Sequence, residues 1–149
     1  MSNQGIYPKL INLFSLLLTF LFVYTAVSKL IYLDTFQTRL ERMPYISGYA
    51  YLISWIVPFL ELVIAGLLWF QKYRRVAFYG SLILLGVFTI YILIVLKFSD
   101  SIPCTCGGII STLGWRDHIL FNTAFMLMSL LGIIWSNKHY NIQSHQNTT

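Results

Sequence analysis

Charged residues are scarce in this chain: Asp, Glu, Lys and Arg make up only 10% of its 149 residues, against about 25% in an ordinary soluble domain. Hydrophobic residues make up 57%, and the mean hydropathy is +0.69. This composition excludes an ordinary soluble domain and indicates an integral membrane protein.

The sequence also lacks a polar segment long enough to form a separate soluble domain. A helical span needs about 20 largely apolar residues, and runs of about that length occupy most of the chain. They are Leu10–Leu33, Ala50–Phe70, Val76–Phe98 and His118–Trp135. The runs are apolar all round instead of alternating, which argues against barrel strands and favours helices. We therefore predict an all-α, integral membrane four-helix bundle.

The bundle is expected to cover residues 10–135, after a short N-terminus of residues 1–9. The first run is longer than the core of a signal peptide, which is about 7–15 residues, so it is expected to remain as the first helix. Residues 136–149 form a polar tail, and its last part, from Asn141 onward, is expected to be disordered.

Between the first two runs, Phe36, Leu40 and Met43 recur at helical spacing with charged residues between them. This pattern predicts a short amphipathic helix lying at the membrane surface. Pro44 and Gly48 interrupt the pattern, so an irregular loop is the alternative.

The basic residues predict the orientation of the chain in the membrane. Lys72, Arg74 and Arg75 stand together between the second and third runs, while Lys9 and Lys138 flank the ends of the bundle. Because cytoplasmic connections carry an excess of Lys and Arg, we predict that both termini are cytoplasmic. The segment 99–117 would then be periplasmic, in a bacterial inner (cytoplasmic) membrane. The net charge of +5 is interpreted as a topology signal and not as a nucleic-acid surface.

The chain has only two cysteines, Cys104 and Cys106, in the connection before the last span. A disulfide between them would close a very small ring, whose turn the permissive backbone of Gly107 and Gly108 would support. Strained disulfides have more oxidising potentials and are the labile or catalytic ones, so the pair predicts redox activity. Two unreactive thiols, a static disulfide and a soft-metal site remain alternatives. The metal alternative lacks the further ligands that a closed site needs.

His118 opens the fourth run, and Asn122 lies one turn deeper on the same helix face. An imidazole near a thiol can stabilise the thiolate or take its proton, so we predict that His118 acts with Cys104 and Cys106. The alternatives are a solvated histidine at a helix start and an asparagine that ties two helices together.

Glu61 lies within the second run and Lys29 in the outer part of the first. A charge inside a bilayer is costly unless it is paired, and antiparallel helices could bring these two together. The pair would either fix the packing of the first two spans or, with Asn122, belong to a proton path or a quinone site.

This arrangement resembles the MauE branch of the DoxX-like membrane proteins over about residues 10–135. The resemblance depends on Lys29, the run from Pro58 to Glu61, the C-x-C-G run from Cys104, and Asn122. MauE-like sequences tend to have an aromatic residue and an arginine where this chain has Gly108 and Phe121. Methylamine metabolism is therefore not inferred.

The resemblance implies a redox-associated protein acting on thiols. MauE-type proteins are associated with maturation of a disulfide-rich periplasmic enzyme subunit beside a thioredoxin-like partner, and DoxX relatives are linked to quinone chemistry. Quinone-coupled disulfide generators such as DsbB relay electrons between two cysteine pairs, and with a single pair this chain cannot run that relay alone.

The sequence thus favours a membrane thiol-disulfide oxidoreductase component that exchanges electrons with a thioredoxin-fold or maturing periplasmic protein. Quinone is the cofactor that this hypothesis would use. A non-enzymatic assembly subunit of a larger membrane complex and a soft-metal handling protein are the two alternatives.

Overall fold

The computed structural model describes residues 6–98 and 115–146, leaving aside the side chains of residues 98, 115, 116 and 139–146. Every regular element in these ranges is helical. The helices are α1 (Ile6–Ile31), α2 (Leu33–Glu41), α3 (Ala50–Trp69), α4 (Arg74–Phe98) and α5 (Trp115–Gln146), with a short 3₁₀ helix at Ser47–Tyr49. The four long helices are each long and apolar enough to cross a membrane. The prediction of an all-α, four-span protein is confirmed.

The four long helices form a closed ring. Helix α1 packs most closely on α3, and α4 packs most closely on α5, while contacts of α1 with α5 and of α3 with α4 complete the bundle. We call the end where α1 and α4 finish and α3 and α5 begin the distal end. The opposite end, which holds the start of α1 and the tight turn from α3 to α4, is the proximal end.

The predicted short helix between the first two spans is present as α2. It ends at Glu41, earlier than the spacing of Met43 indicated, because a residue before proline disfavours helical backbone and Pro44 follows directly. The chain then turns through Tyr45, whose φ is 70°. The Tyr91 hydroxyl of α4 donates to the Pro44 carbonyl at 3.0 Å and holds this turn on the bundle.

The last helix is longer than the sequence indicated. We expected the chain to be disordered from Asn141, but α5 continues to Gln146, so that prediction is wrong for residues 141–146. No glycine or proline follows Gly132 in the sequence, and nothing therefore breaks the backbone hydrogen bonds where the apolar run ends.

Small and apolar residues fill the centre of the bundle. Leu18, Phe22, Leu68 and Phe78 are among the fully buried or nearly fully buried side chains. Small residues let the backbones of membrane helices approach closely. At Gly132 an added Cβ would lie 2.7 Å from the Phe78 ring, so the absence of a side chain there makes room for the ring.

Several hydroxyl groups in the spans bond to their own helices. Ser81, Thr89, Thr123 and Ser129 each donate to the carbonyl four residues earlier. A polar group in a bilayer has no water to bond, so these bonds allow hydroxyls within long apolar helices.

Most of the outer surface of the bundle is apolar. At most 39% of any span is buried inside the protein, and large residues such as Phe20 and Leu120 are exposed. This surface suits contact with lipid chains.

Candidate functional site

The ion pair between α1 and α3 is the central feature of the distal half of the bundle. Lys29 Nζ lies 2.7 Å from Glu61 Oε1, and the two side chains are 22% and 4% exposed. Lys29 stands in the last turn of α1, and Glu61 lies near the middle of α3. The lysine stem therefore reaches inward from the distal end to meet a carboxylate buried in the bundle.

The Glu61 carboxylate is only half satisfied. Its Oε1 accepts the Lys29 bond, whereas its Oε2 is buried and has no hydrogen-bond partner among the described residues. A buried polar atom without a partner costs about 1–3 kcal/mol. Glu61 Oε2 can therefore accept a proton or a hydrogen bond from a further donor.

His118 lies in the first turns of α5, where it is half buried. Its Nδ1 is buried and also lacks a hydrogen-bond partner among the described residues. Lys29, Glu61 and His118 thus stand on three helices in the distal half of the bundle, and we call them the distal polar cluster.

Asn122 has a separate, structural contact. It is 6% exposed, and its Nδ2 donates to Thr89 Oγ1 of α4 at 3.4 Å. Thr89 in turn donates to the Leu85 carbonyl at 2.8 Å. Of the two interpretations of Asn122, this contact matches the one in which the residue ties two helices together. Thr89 was not singled out in the sequence, because a lone threonine in an apolar run gives no signal of its partner.

Cys104 and Cys106 lie outside the described residues. The connection that carries them leaves α4 after Phe98 and enters α5 at Trp115. Both of those helix ends are at the distal end, and His118 follows one turn after Trp115.

A second polar feature lies at the proximal end. A groove of about 200 Å³ is lined by Asn12, Ser15, Leu16, Thr19, Leu68, Trp69 and Arg74. Its polar side chains were not recognised from the sequence, although Asn12, Ser15 and Thr19 recur at helical spacing within the first apolar run. That spacing is the signal that could have revealed the groove.

Polar side chains hold the end of α3 beside this groove. Ser15 donates to the Leu68 carbonyl at 2.7 Å, and Arg74 Nε donates to the same carbonyl at 3.3 Å. The Leu68 carbonyl belongs to the last turn of α3, where helix carbonyls lack partners within the helix. These two donors therefore satisfy an acceptor that the helix leaves open.

The described residues contain no group of three or more His, Cys, Asp or Glu side chains that could hold a metal ion. Ligands contributed by the two cysteines fall outside this observation.

The fold and the buried ion pair define a multi-pass membrane protein with four spans and a polar cluster at one end. The chain belongs to the MauE family: the family model described as "Methylamine utilisation protein MauE" matches residues 7–135, which is most of its length. No curated protein and no solved structure matches the chain.

Proposed function

We propose that this chain is a membrane thiol-disulfide redox protein. The pair Cys104 and Cys106 would exchange electrons with a thioredoxin-fold or maturing protein outside the cytoplasm. One observation carries the proposal: the connection holding the pair is bounded by helix ends at the distal end, the half of the bundle that also holds His118 and the Lys29–Glu61 pair. Membership of a family of membrane accessory proteins agrees with such a role.

The exchange needs no other reactant than the partner's two thiols. One partner thiolate attacks a sulfur of the C-x-C disulfide, which forms a mixed disulfide and releases the other cysteine as a thiolate. The second partner thiolate then attacks the mixed disulfide. The partner leaves with a disulfide, and the C-x-C pair keeps the two electrons as two thiols. The same steps in reverse reduce a partner disulfide.

His118 would control the thiolate. A neutral imidazole takes a proton from a thiol, and its charged form stabilises the thiolate beside it. The Nδ1 of His118, which has no hydrogen-bond partner among the described residues, would make either contact.

The distal polar cluster has the chemistry that a quinone headgroup needs. Lys29 Nζ carries three N–H donors and gives one to Glu61, while His118 Nδ1 and Glu61 Oε2 are unpartnered among the described residues. These residues could hold the carbonyl or hydroxyl oxygens of the ring. A bound quinone would supply an acceptor for two electrons and two protons.

The proposed orientation puts the proximal end in the cytoplasm of a bacterial cell and the distal end in the periplasm. It is supported by the basic residues of the α3–α4 turn. A membrane-impermeant maleimide tests it, because it should label reduced Cys104 and Cys106 in cells with an intact inner membrane and a permeable outer membrane.

Trapping of the mixed disulfide tests the redox function. Acid-quenched, alkylated membranes from Cys104→Ser and Cys106→Ser strains are compared by mass spectrometry with those from the double variant, which serves as the control. We expect one single variant to retain a covalently attached thioredoxin-fold or substrate protein that is absent from the double variant. The proposal fails if neither variant traps a protein and the loss of both cysteines changes no protein's redox state.

The same strains distinguish the alternatives. Full function of the double variant with a stable copurifying complex would indicate an assembly subunit. Stoichiometric Cu(I) in the purified protein, lost with either cysteine, would indicate metal handling.

A further inference from the structure

The charge of this protein is divided unequally between its two ends. No Asp or Glu occurs in residues 1–33, 62–99 or 118–149, which include every segment at the proximal end. The basic residues of that end are Lys9, Lys72, Arg74, Arg75 and Lys138. The other basic residues, Lys29, Arg39, Arg42, Lys97 and Arg116, are balanced by Asp34, Glu41, Glu61, Asp100 and Asp117. The net charge of +5 therefore belongs to the proximal end.

Arg74 carries part of this charge into the groove between α1 and the α3–α4 turn. Its Nε donates to the Leu68 carbonyl, and its Nη1 donates to Asn12 Oδ1. Both acceptors are neutral, and no acidic side chain of the described residues pairs with Arg74. A guanidinium has five N–H donors, so most of its capacity to bind an anion is unused.

The groove places the Arg74 guanidinium beside apolar side chains. Asn12, Ser15 and Thr19 line it on the α1 side, while Leu16 and Trp69, which are 57% and 69% exposed, form its open margin. Trp69 is the last residue of a membrane span, the depth at which tryptophan favours the headgroup region. The groove thus presents a cation and hydroxyl groups at headgroup depth, beside a surface suited to an acyl chain.

We propose that this groove is a binding site for the phosphate of an anionic phospholipid, centred on the Arg74 guanidinium. Guanidinium groups bind phosphate through two parallel hydrogen bonds, and basic pockets between membrane helices bind anionic headgroups. The side chains of Ser15 and Thr19 already bond to backbone carbonyls. Arg74 is therefore the principal donor, and the hydroxyl oxygens of Ser15 and Thr19 add polar lining. This site stands independently of the proposed redox function.

A lipid fits the groove better than a free phosphate does. A soluble phosphate would gain nothing from the exposed apolar margin formed by Leu16 and Trp69, whereas the acyl chains of a lipid would cover it. The basic residues of the proximal end also attract the anionic surface of a membrane.

Native mass spectrometry of the detergent-solubilised full chain tests the site by titration with phosphatidylglycerol or phosphatidylcholine. We expect the wild-type protein to bind phosphatidylglycerol at least about fivefold more tightly than phosphatidylcholine, since one cationic contact is worth about 1 kcal/mol. The Arg74→Gln variant should lose this preference.

Two further variants separate a site from a general attraction of charge. Lys72→Gln removes the same charge from an exposed residue of the same turn, outside the groove, and should keep the preference. Leu16→Trp leaves the net charge unchanged but narrows the groove at an exposed position, and it should weaken phosphatidylglycerol binding several-fold. If Arg74→Gln fails to fold, as judged by circular dichroism, Leu16→Trp decides the question.

Equal losses in Arg74→Gln and Lys72→Gln would overturn the proposal in favour of diffuse attraction. Unchanged phosphatidylglycerol binding in a folded Leu16→Trp variant would also overturn it. A competition arm uses inorganic phosphate and glycerol 3-phosphate at the concentration of the lipid. Displacement of the lipid by either one would identify a soluble phosphate as the ligand and refute the lipid assignment, whereas retention of the lipid supports it.

Discussion

Lys29 Nζ donates to Glu61 Oε1 across the interface of α1 and α3, and the carboxylate side chain of Glu61 is 4% exposed. Removing one partner of such a pair leaves an uncompensated buried charge, whereas replacing both with apolar residues of similar volume is often neutral. The stability of the bundle therefore depends on whether the buried Glu61 carboxylate keeps Lys29 as its partner.

Lys29→Met should destabilise the solubilised protein by about 3 kcal/mol, because Glu61 would be left buried without its partner. The double variant Lys29→Met/Glu61→Met should recover most of that loss. Thermal unfolding in detergent measures both effects. Glu41→Gln, which alters an exposed residue of α2, is the control and should leave the midpoint unchanged. A double variant as unstable as Lys29→Met would contradict the expectation.

Gly132→Ala should destabilise the protein by about 1–3 kcal/mol, the usual cost of overpacking a core. The added Cβ would lie 2.7 Å from the Phe78 ring, which cannot retreat because it is fully buried. Gly66→Ala is a matched control, since its Cβ would meet nothing within 4 Å. Thermal unfolding of the two variants should therefore diverge, with Gly66→Ala at or above the wild-type midpoint. Restoration of stability by Phe78→Leu in the Gly132→Ala background would locate the clash.

Asn122 and Thr89 should show a favourable coupling of about 0.6 kcal/mol in a double-mutant cycle, the mean for such bonds in a membrane protein. The cycle uses Asn122→Ala and Thr89→Val, and its readout is the free energy of unfolding in mixed detergent micelles. The bond from Asn122 Nδ2 to Thr89 Oγ1 is the contact being measured. Additive effects of the two substitutions would show that this contact contributes nothing.

His118→Gln should slow alkylation of reduced Cys104 and Cys106 several-fold near neutral pH, because the imidazole would no longer stabilise the thiolate. Alkylation that is quenched at a series of times and analysed by mass spectrometry gives the rate for each cysteine. His145→Gln, at the opposite end of α5, is the matched control and should leave both rates unchanged. Equal rates in wild type and His118→Gln would remove His118 from the thiol chemistry while leaving the cysteine pair itself open to test.

The spans could be read from the sequence because the bilayer dictates their length and apolarity. Leu10–Leu33 and Ala50–Phe70 differ from α1 and α3 by only a few residues at the ends. The helix α2 was recognisable from its spacing of Phe36 and Leu40. The end of α5 was not recognised, because helix propagation past the last apolar turn depends on backbone bonds that hydropathy does not measure.

The sequence by itself determined that this is a four-span membrane protein with few charges inside its apolar runs and with its only cysteines in one connection. It also indicated that Lys29 and Glu61 need each other, since neither charge could remain alone among lipid chains. Tertiary structure alone decided that Asn122 donates to Thr89, and that Arg74 meets Asn12 in a groove at the proximal end. The reason is physical: hydropathy fixes which segments enter the bilayer, but the rotation and partners of each helix follow from packing between helices, which no single segment encodes.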